Sequence, residues 1–209
     1  LPMPVRKILA RQNALNKTTE RRRLRFKRPV FALTASKKGD FMSKAKRIAQ
    51  AALIAAIYAT LTLVLEPIGY GPVQFRLAEA LTVLPAIFPA SIPGLFVGCI
   101  LANWLGGFGM VDIVFGSLAT LLAGISTYFL RKQRFLFPLP PVIFNGLIVG
   151  TYVYYLYDQT YSHVLTMAFI ALSELVLSSG LGLPLVAFIK KNAELRRILG
   201  INEEEQAEA

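Results

Sequence analysis

Four stretches of this chain are almost empty of charge, and they limit its fold more than any other feature. Ile48 to Leu65 is 18 residues with none, Leu77 to Leu130 has only Glu79 and Asp112, Phe135 to Tyr157 is 23 with none, and Gln159 to Ile189 has only Glu174. A helix crossing about 30 Å of hydrocarbon needs roughly 17–25 apolar residues, so runs of this length read as membrane spans. As buried helices of a soluble domain they would need amphipathic partners to cover them, and the remaining sequence supplies none. Disorder is excluded over the same region because it requires low hydrophobicity.

Composition supports that reading once the charge is divided by position. The chain has 209 residues, 55% hydrophobic and 17% charged, and a formal net charge of +11. Residues 1–42 hold 12 Lys/Arg against 2 acids, and so carry +10 of that total. A nucleic-acid module would spread its cations over a soluble domain, whereas here the body is nearly neutral and apolar, so no nucleic-acid partner is expected. One cysteine, Cys99, excludes a disulfide scaffold. The head lacks the apolar core of a secretory signal, and Met42-Ser43-Lys44-Ala45-Lys46-Arg47 looks like a cytoplasmic start. Residues 1–42 are therefore expected to be a disordered extension or not natively translated. Residues 43–190 are expected to form the membrane domain, and 191–209 a charged cytoplasmic tail.

Turn residues divide the body into six helices near 45–65, 76–88, 92–105, 110–130, 138–157 and 162–190. Pro67, Gly69, Gly71 and Pro72 separate the first two, Pro89 to Pro93 the next, and Gly106-Gly107 with Gly109 the next. The expected fold is an all-α integral membrane protein with six transmembrane helices. Cationic clusters lie at Lys44/Lys46/Arg47, at Arg131/Lys132/Arg134 and at Lys190/Lys191/Arg196/Arg197. Cytoplasmic loops collect Lys and Arg, which puts all three clusters inside, both termini in the cytoplasm and loops 66–75, 106–109 and 158–162 outside.

Polar groups inside such spans are costly unless paired or hydrated, so they are the candidates for function. Arg76, Glu79, Asp112 and Glu174 are the ionisable ones, accompanied by Gln74, Asn103, Trp104 and Asn145. Most of them flank the outward loops, which suggests one polar pocket open to the exterior. Plainer readings stand beside this. Arg76 and Glu79 share a helix face and could neutralise each other. Asp112 could be an N-cap. Glu174 could bond a Ser or Thr on a neighbouring helix, Asn145 could join two helices, and His163 could be an interfacial polar residue. Ala51, Ala55 and Ala59, widened by Ala52 and Ala56, form a small-residue stripe for close helix approach, inside the chain or against a partner.

No G-x-x-x-x-G-K-[ST] loop, H-E-x-x-H or G-x-S-x-G occurs, and one His with one Cys makes no metal site. The expectation is therefore a binding or transport subunit rather than an enzyme, with no cofactor and no metal.

Three runs then carry a family resemblance: Val73-Gln74-Phe75-Arg76-Leu77-Ala78-Glu79-Ala80-Leu81-Thr82-Val83-Leu84-Pro85; Ile92-Pro93-Gly94-Leu95-Phe96-Val97-Gly98-Cys99 with Ala102-Asn103; and Asp112-Ile113-Val114-Phe115-Gly116-Ser117-Leu118-Ala119-Thr120-Leu121. Over roughly residues 43–190 the chain resembles the queuosine-precursor transporter family (QueT), substrate-binding S components of energy-coupling factor (ECF) vitamin transporters. The resemblance implies a six-helix S-component bundle with an external pocket capped by outer loops, of which 66–75 would be a hinged lid. It also implies a T component and two ATPase subunits as partners, docked through Ala51, Ala55 and Ala59. The implied ligand is a 7-deazaguanine, whose N1–H and 2-amino donors suit a carboxylate, Glu79 or Glu174. A cationic aminomethyl group would take Asp112, the ring carbonyl Arg76 or Gln74, and other edges Asn103 and Asn145, while Tyr70 or Trp104 stacks on the ring. An S component for another vitamin, or a membrane scaffold without a ligand, are the alternatives.

Overall fold

The computed structural model describes residues 44–65, 75–199 and 201. The expectations for residues 1–42, for most of the 66–75 loop, for Tyr70 and Gln74, and for the Glu203-Glu204-Glu205 tail lie outside the described residues.

The described residues form seven helices and no strand: α1 Lys44–Val64, α2 Leu77–Ala86, α3 Ser91–Leu105, α4 Asp112–Phe129, α5 Leu139–Leu156, α6 His163–Lys191 and α7 Ala193–Leu199. Helices stand within two residues of each of the six expected segments. Four of them, α1, α4, α5 and α6, are long and apolar enough to cross a membrane. The other two are shorter. α2 winds with 3-10 geometry over 10 residues, about 20 Å at the rise of such a helix, and α3 has 15 residues, about 22 Å. The physical reason lies in the prolines: Pro85 sits inside α2, and Pro89 and Pro93 come soon after, so no long helix can run through this region. α2 is covered on nearly every side, from Ala78 to Ala86, by α4 and the C-terminal half of α6.

The bundle buries its polar groups within an otherwise apolar core and is apolar outside. Leu53, Val64, Val97, Val114, Phe115, Leu147, Leu172 and Val176 are exposed, while Arg76, Glu79, Asn103, Asp112, Asn145 and Glu174 are buried. Such an outer face suits lipid, because a water-soluble chain rarely leaves so much apolar surface open. α4, α5 and α6 each contain a π turn, at Asp112–Gly116, Asn145–Val149 and Val176–Gly182.

The α1 stripe is turned differently from the docking expectation. A Cβ on Gly94 of α3 would stand 2.6 Å from the Ala51 carbonyl oxygen, and one on Gly98 2.9 Å from that of Ala55. Only glycine allows α3 to lie that close on α1. Ala55 and Ala59 are therefore 4% and 8% exposed, with Ala51 half-buried, so these three serve internal packing and cannot offer an open docking face. The small residues left outward on α1 are Ala52 and Ala56.

Beyond α6, Asn192 caps α7 by accepting from the Glu194 and Leu195 N–H groups at 3.1 Å each. Gln50 donates to the Ile198 carbonyl at 2.8 Å, which ties α7 to α1, and Ile201 is buried. This part of the predicted tail is docked rather than solvated.

Candidate functional site

The polar residues meet where the start of α2 faces α4, α5 and α6. Arg76 is the extended residue before α2, and its Nη2 lies 3.1 Å from Asp112 Oδ1. The Tyr152 hydroxyl donates to the same oxygen at 2.8 Å. Arg76 thus pairs across the bundle with Asp112 rather than with Glu79 three residues along its own helix. Asp112 is not an N-cap: no side-chain cap bond forms at the start of α4, and the carboxylate is taken up by Arg76 and Tyr152. Asn103, fully buried, donates to the Asp112 backbone carbonyl at 2.9 Å and so fixes that residue from behind.

The rim above this pair is held by the turn between α3 and α4. Gly107 and Gly109 have φ of 70° and 98°, which residues with a Cβ rarely adopt. The Tyr157 hydroxyl donates to the Phe108 carbonyl at 3.1 Å. Partial burial, together with the Asp112 carboxylate beside it, pushes the Tyr157 phenol up to about 12, so it keeps its proton.

Glu79 and Glu174 form the other half of the site. The Tyr58 hydroxyl of α1 donates to Glu79 Oε1, and Asn145 Nδ2 of α5 donates to Glu174 Oε1 at 2.8 Å. Both side chains are buried, at 2% and 4% exposure, yet Glu79 Oε2 and Glu174 Oε2 have no hydrogen-bond partner among the described residues. Both carboxyls line a small cavity with Arg76, Asn145 and Thr120. Its volume is about 10 Å³, room for roughly one water.

Local helix geometry explains how residues far apart in sequence converge. A π turn inserts one extra residue, rotates the remainder of the helix about its axis, and recurs at functional sites. Asp112 and Asn145 each begin a π turn, and Glu174 lies two residues before the third. The carbonyls and side chains of α4, α5 and α6 are thereby re-aimed at the level where α2 begins.

Six of the nine candidate ligand-site residues, Arg76, Glu79, Asn103, Asp112, Asn145 and Glu174, are brought together. Trp104 is not: it is 66% exposed at the end of α3, because it sits one helical step beyond the inward-facing Asn103. Its expected stacking role is corrected accordingly. His163 stacks on Tyr154 at 5.2 Å between ring centroids and lies away from the cavity lining. Sequence reasoning missed Tyr58, Tyr152 and Thr120. Tyr58 carried a readable signal, a phenol isolated within an aliphatic span.

An apolar-faced helical bundle around a small, buried and partly unsatisfied polar cavity defines a multi-pass membrane protein. A family profile described as QueT transporter matches residues 48–191, and the chain belongs to that family. It is 38% identical over 82 residues to the queuosine precursor transporter QueT of Lactococcus lactis subsp. cremoris (strain MG1363). That alignment covers 38% of this chain and 48% of the relative, about half of the relative's length. No solved structure matches the chain.

Proposed function

We propose that this chain is the substrate-binding S component of an energy-coupling factor transporter that imports a queuosine precursor of the 7-deazaguanine type. The observation that carries the proposal is the pair Glu79 and Glu174, each buried with one oxygen unpartnered and each lining the same cavity. A 7-deazaguanine presents N1–H and a 2-amino group as adjacent donors, and a carboxylate can accept both side by side. Arg76 and Asn145 line the same space and bring donors for the ring carbonyl. Asp112 is already engaged by Arg76 and Tyr152, so in this reading it orients Arg76 rather than binding ligand directly.

A ligand pocket ordinarily measures about 300–1,000 Å³, against the water-sized cavity here. Binding therefore requires the site to open. Uptake then needs a T component and two ATPases, because the chain has no phosphate-binding loop of its own. The outward Ala52 and Ala56 face of α1 is where we place T-component docking, with both termini cytoplasmic and six membrane-embedded helices.

The test is a thermal-shift panel of 7-deazaguanines and unrelated vitamins on the full chain in detergent, followed by titration. A 7-deazaguanine should stabilise the protein, and Glu79→Gln should weaken its binding at least tenfold. Stabilisation by another vitamin alone would reassign the substrate, and sustained uptake by this chain without partners would defeat the S-component assignment.

A further inference from the structure

The charges around the cavity do not balance, and that imbalance identifies a property of the site beyond its ligand. Among the described residues, the titratable and polar groups acting on Glu79 come from every element packed around it. They are Tyr58 of α1, Arg76 ahead of α2, Cys99 of α3, Asn145 of α5 and Glu174 of α6, with Asp112 of α4 held on Arg76. Arg76 supplies the positive charge in this set, and Asp112 lies 3.1 Å from it. With both glutamates ionised, the buried cluster would carry two uncompensated negative charges. Water-free surroundings penalise an isolated buried charge so strongly that such groups bind a proton instead.

Hydrogen bonding points the same way. An ionised carboxylate is an acceptor on both oxygens and, when buried, is normally satisfied on both. Each of these two has one oxygen accepting from a side chain, Tyr58 or Asn145, and a second buried oxygen to which no protein group donates. That is the pattern of a carboxylic acid, with one oxygen bonded as the carbonyl and the other carrying the proton.

Resting on the ligand class proposed above, we infer that the ligand-free site holds Glu79 and Glu174 as neutral acids and that a cationic ligand enters in exchange for one of their protons. The cation arrives with its charge, one carboxyl O–H bond breaks, and the proton leaves to the aqueous phase on the open side. The cluster then contains Arg76 with Asp112, the ligand cation with one carboxylate, and one remaining acid, and it is neutral both before and after. The carboxylate so formed accepts the ring N1–H and 2-amino donors, and its charge offsets that of the ligand cation. A neutral ligand of the same shape brings no charge, so it displaces no proton.

The experiment is calorimetry on the full chain in lipid nanodiscs, titrated with 7-aminomethyl-7-deazaguanine and with neutral 7-methyl-7-deazaguanine. Each titration is run in two buffers of different ionisation enthalpy. Release of one proton per bound amine is expected, with none for the methyl compound. While the ligand-free site holds the exchangeable proton, affinity for the amine should rise about tenfold per pH unit as pH increases, and that for the methyl compound should stay flat. Binding of the amine without proton release, or equal release with both compounds, overturns the exchange and leaves the ligand class standing. Binding of neither compound overturns the ligand class and the exchange with it. As a second measurement, release must vanish in whichever of Glu79→Gln and Glu174→Gln removes the exchanging acid. Persistence of release in both variants would also overturn the inference.

Discussion

The two halves of the polar site lie at one level of the bundle and are built on opposite principles. Around Asp112, the carboxylate takes the Arg76 guanidinium and the Tyr152 hydroxyl while Asn103 holds its backbone carbonyl. Around the cavity, Glu79 accepts from Tyr58 and Glu174 from Asn145, and each keeps a second, buried oxygen without a protein donor. The first half is held together by these bonds, though Arg76 also lines the cavity, and it costs stability to disturb. The second is left incomplete, and it is the half that we assign to the ligand. A buried ionisable residue in a membrane bundle is thus not a single category, and partner count separates scaffold from binding surface.

The largest effect should come from breaking the closed half. Asp112→Ala leaves the Arg76 charge buried without its carboxylate, and removing one member of a buried pair typically costs 3–5 kcal/mol. Denaturant unfolding of the variant in detergent should register a loss of about that size. The double change Arg76→Met with Asp112→Leu removes both charges and should recover most of the stability, since an apolar replacement of a buried pair is often neutral. If the double variant unfolds as readily as the single one, the pair does more than scaffold the start of α2.

A smaller effect on stability, and a larger one on affinity, should appear in the open half. Glu174→Gln keeps size and the acceptor for Asn145 while removing the acidic proton. Its unfolding free energy should change by less than about 1 kcal/mol, as for a polar replacement that leaves the buried hydrogen bond in place. Binding of a cationic 7-deazaguanine should weaken at least tenfold, or about 1.4 kcal/mol. A Glu174→Gln protein that loses several kcal/mol of stability would place this residue with the closed half and erase the distinction.

Much of this architecture was legible in the sequence, for identifiable reasons. Charge-free runs and proline-glycine breaks located every apolar helix, since spans and turns are local features. The same logic picked out Arg76, Glu79, Asp112, Asn145 and Glu174, because an ionisable or amide group in a span needs a reason. Pairing was not legible. The rule for neighbours on one helix nominated Arg76 with Glu79, but the partner, Asp112, lies 36 residues away and is reached only through tertiary packing. Phase was not legible either. Ala51/Ala55/Ala59 and Ala52/Ala56 are adjacent stripes one residue out of step, and the groups that decide between them are on another helix, at Gly94 and Gly98. Trp104 failed for the same reason, one step past Asn103. The π turns were invisible because each shifts the helical period by a single residue.

The finest test compares two phenols, one in each half. Tyr152→Phe removes one of two side-chain donors to the Asp112 carboxylate and leaves Arg76 in place, so stability should fall by roughly 1 kcal/mol, the net value of a single hydrogen bond. Affinity for ligand should change less than stability, because neither Tyr152 nor Asp112 lines the cavity. Tyr58→Phe instead strips Glu79 of the hydroxyl donor on Oε1. If the ligand-free site holds Glu79 as a neutral acid, losing this donor costs little stability, again about 1 kcal/mol or less. The liganded site, where a carboxylate carries charge, loses a bond that strengthens on ionisation, since hydrogen bonds to charged groups are about twice as strong as neutral ones. Tyr58→Phe should therefore reduce affinity for the cationic ligand more than it reduces stability, the reverse of Tyr152→Phe. Equal profiles for the two variants, measured by unfolding and by calorimetric titration of the same preparations, would mean that the halves act as one network.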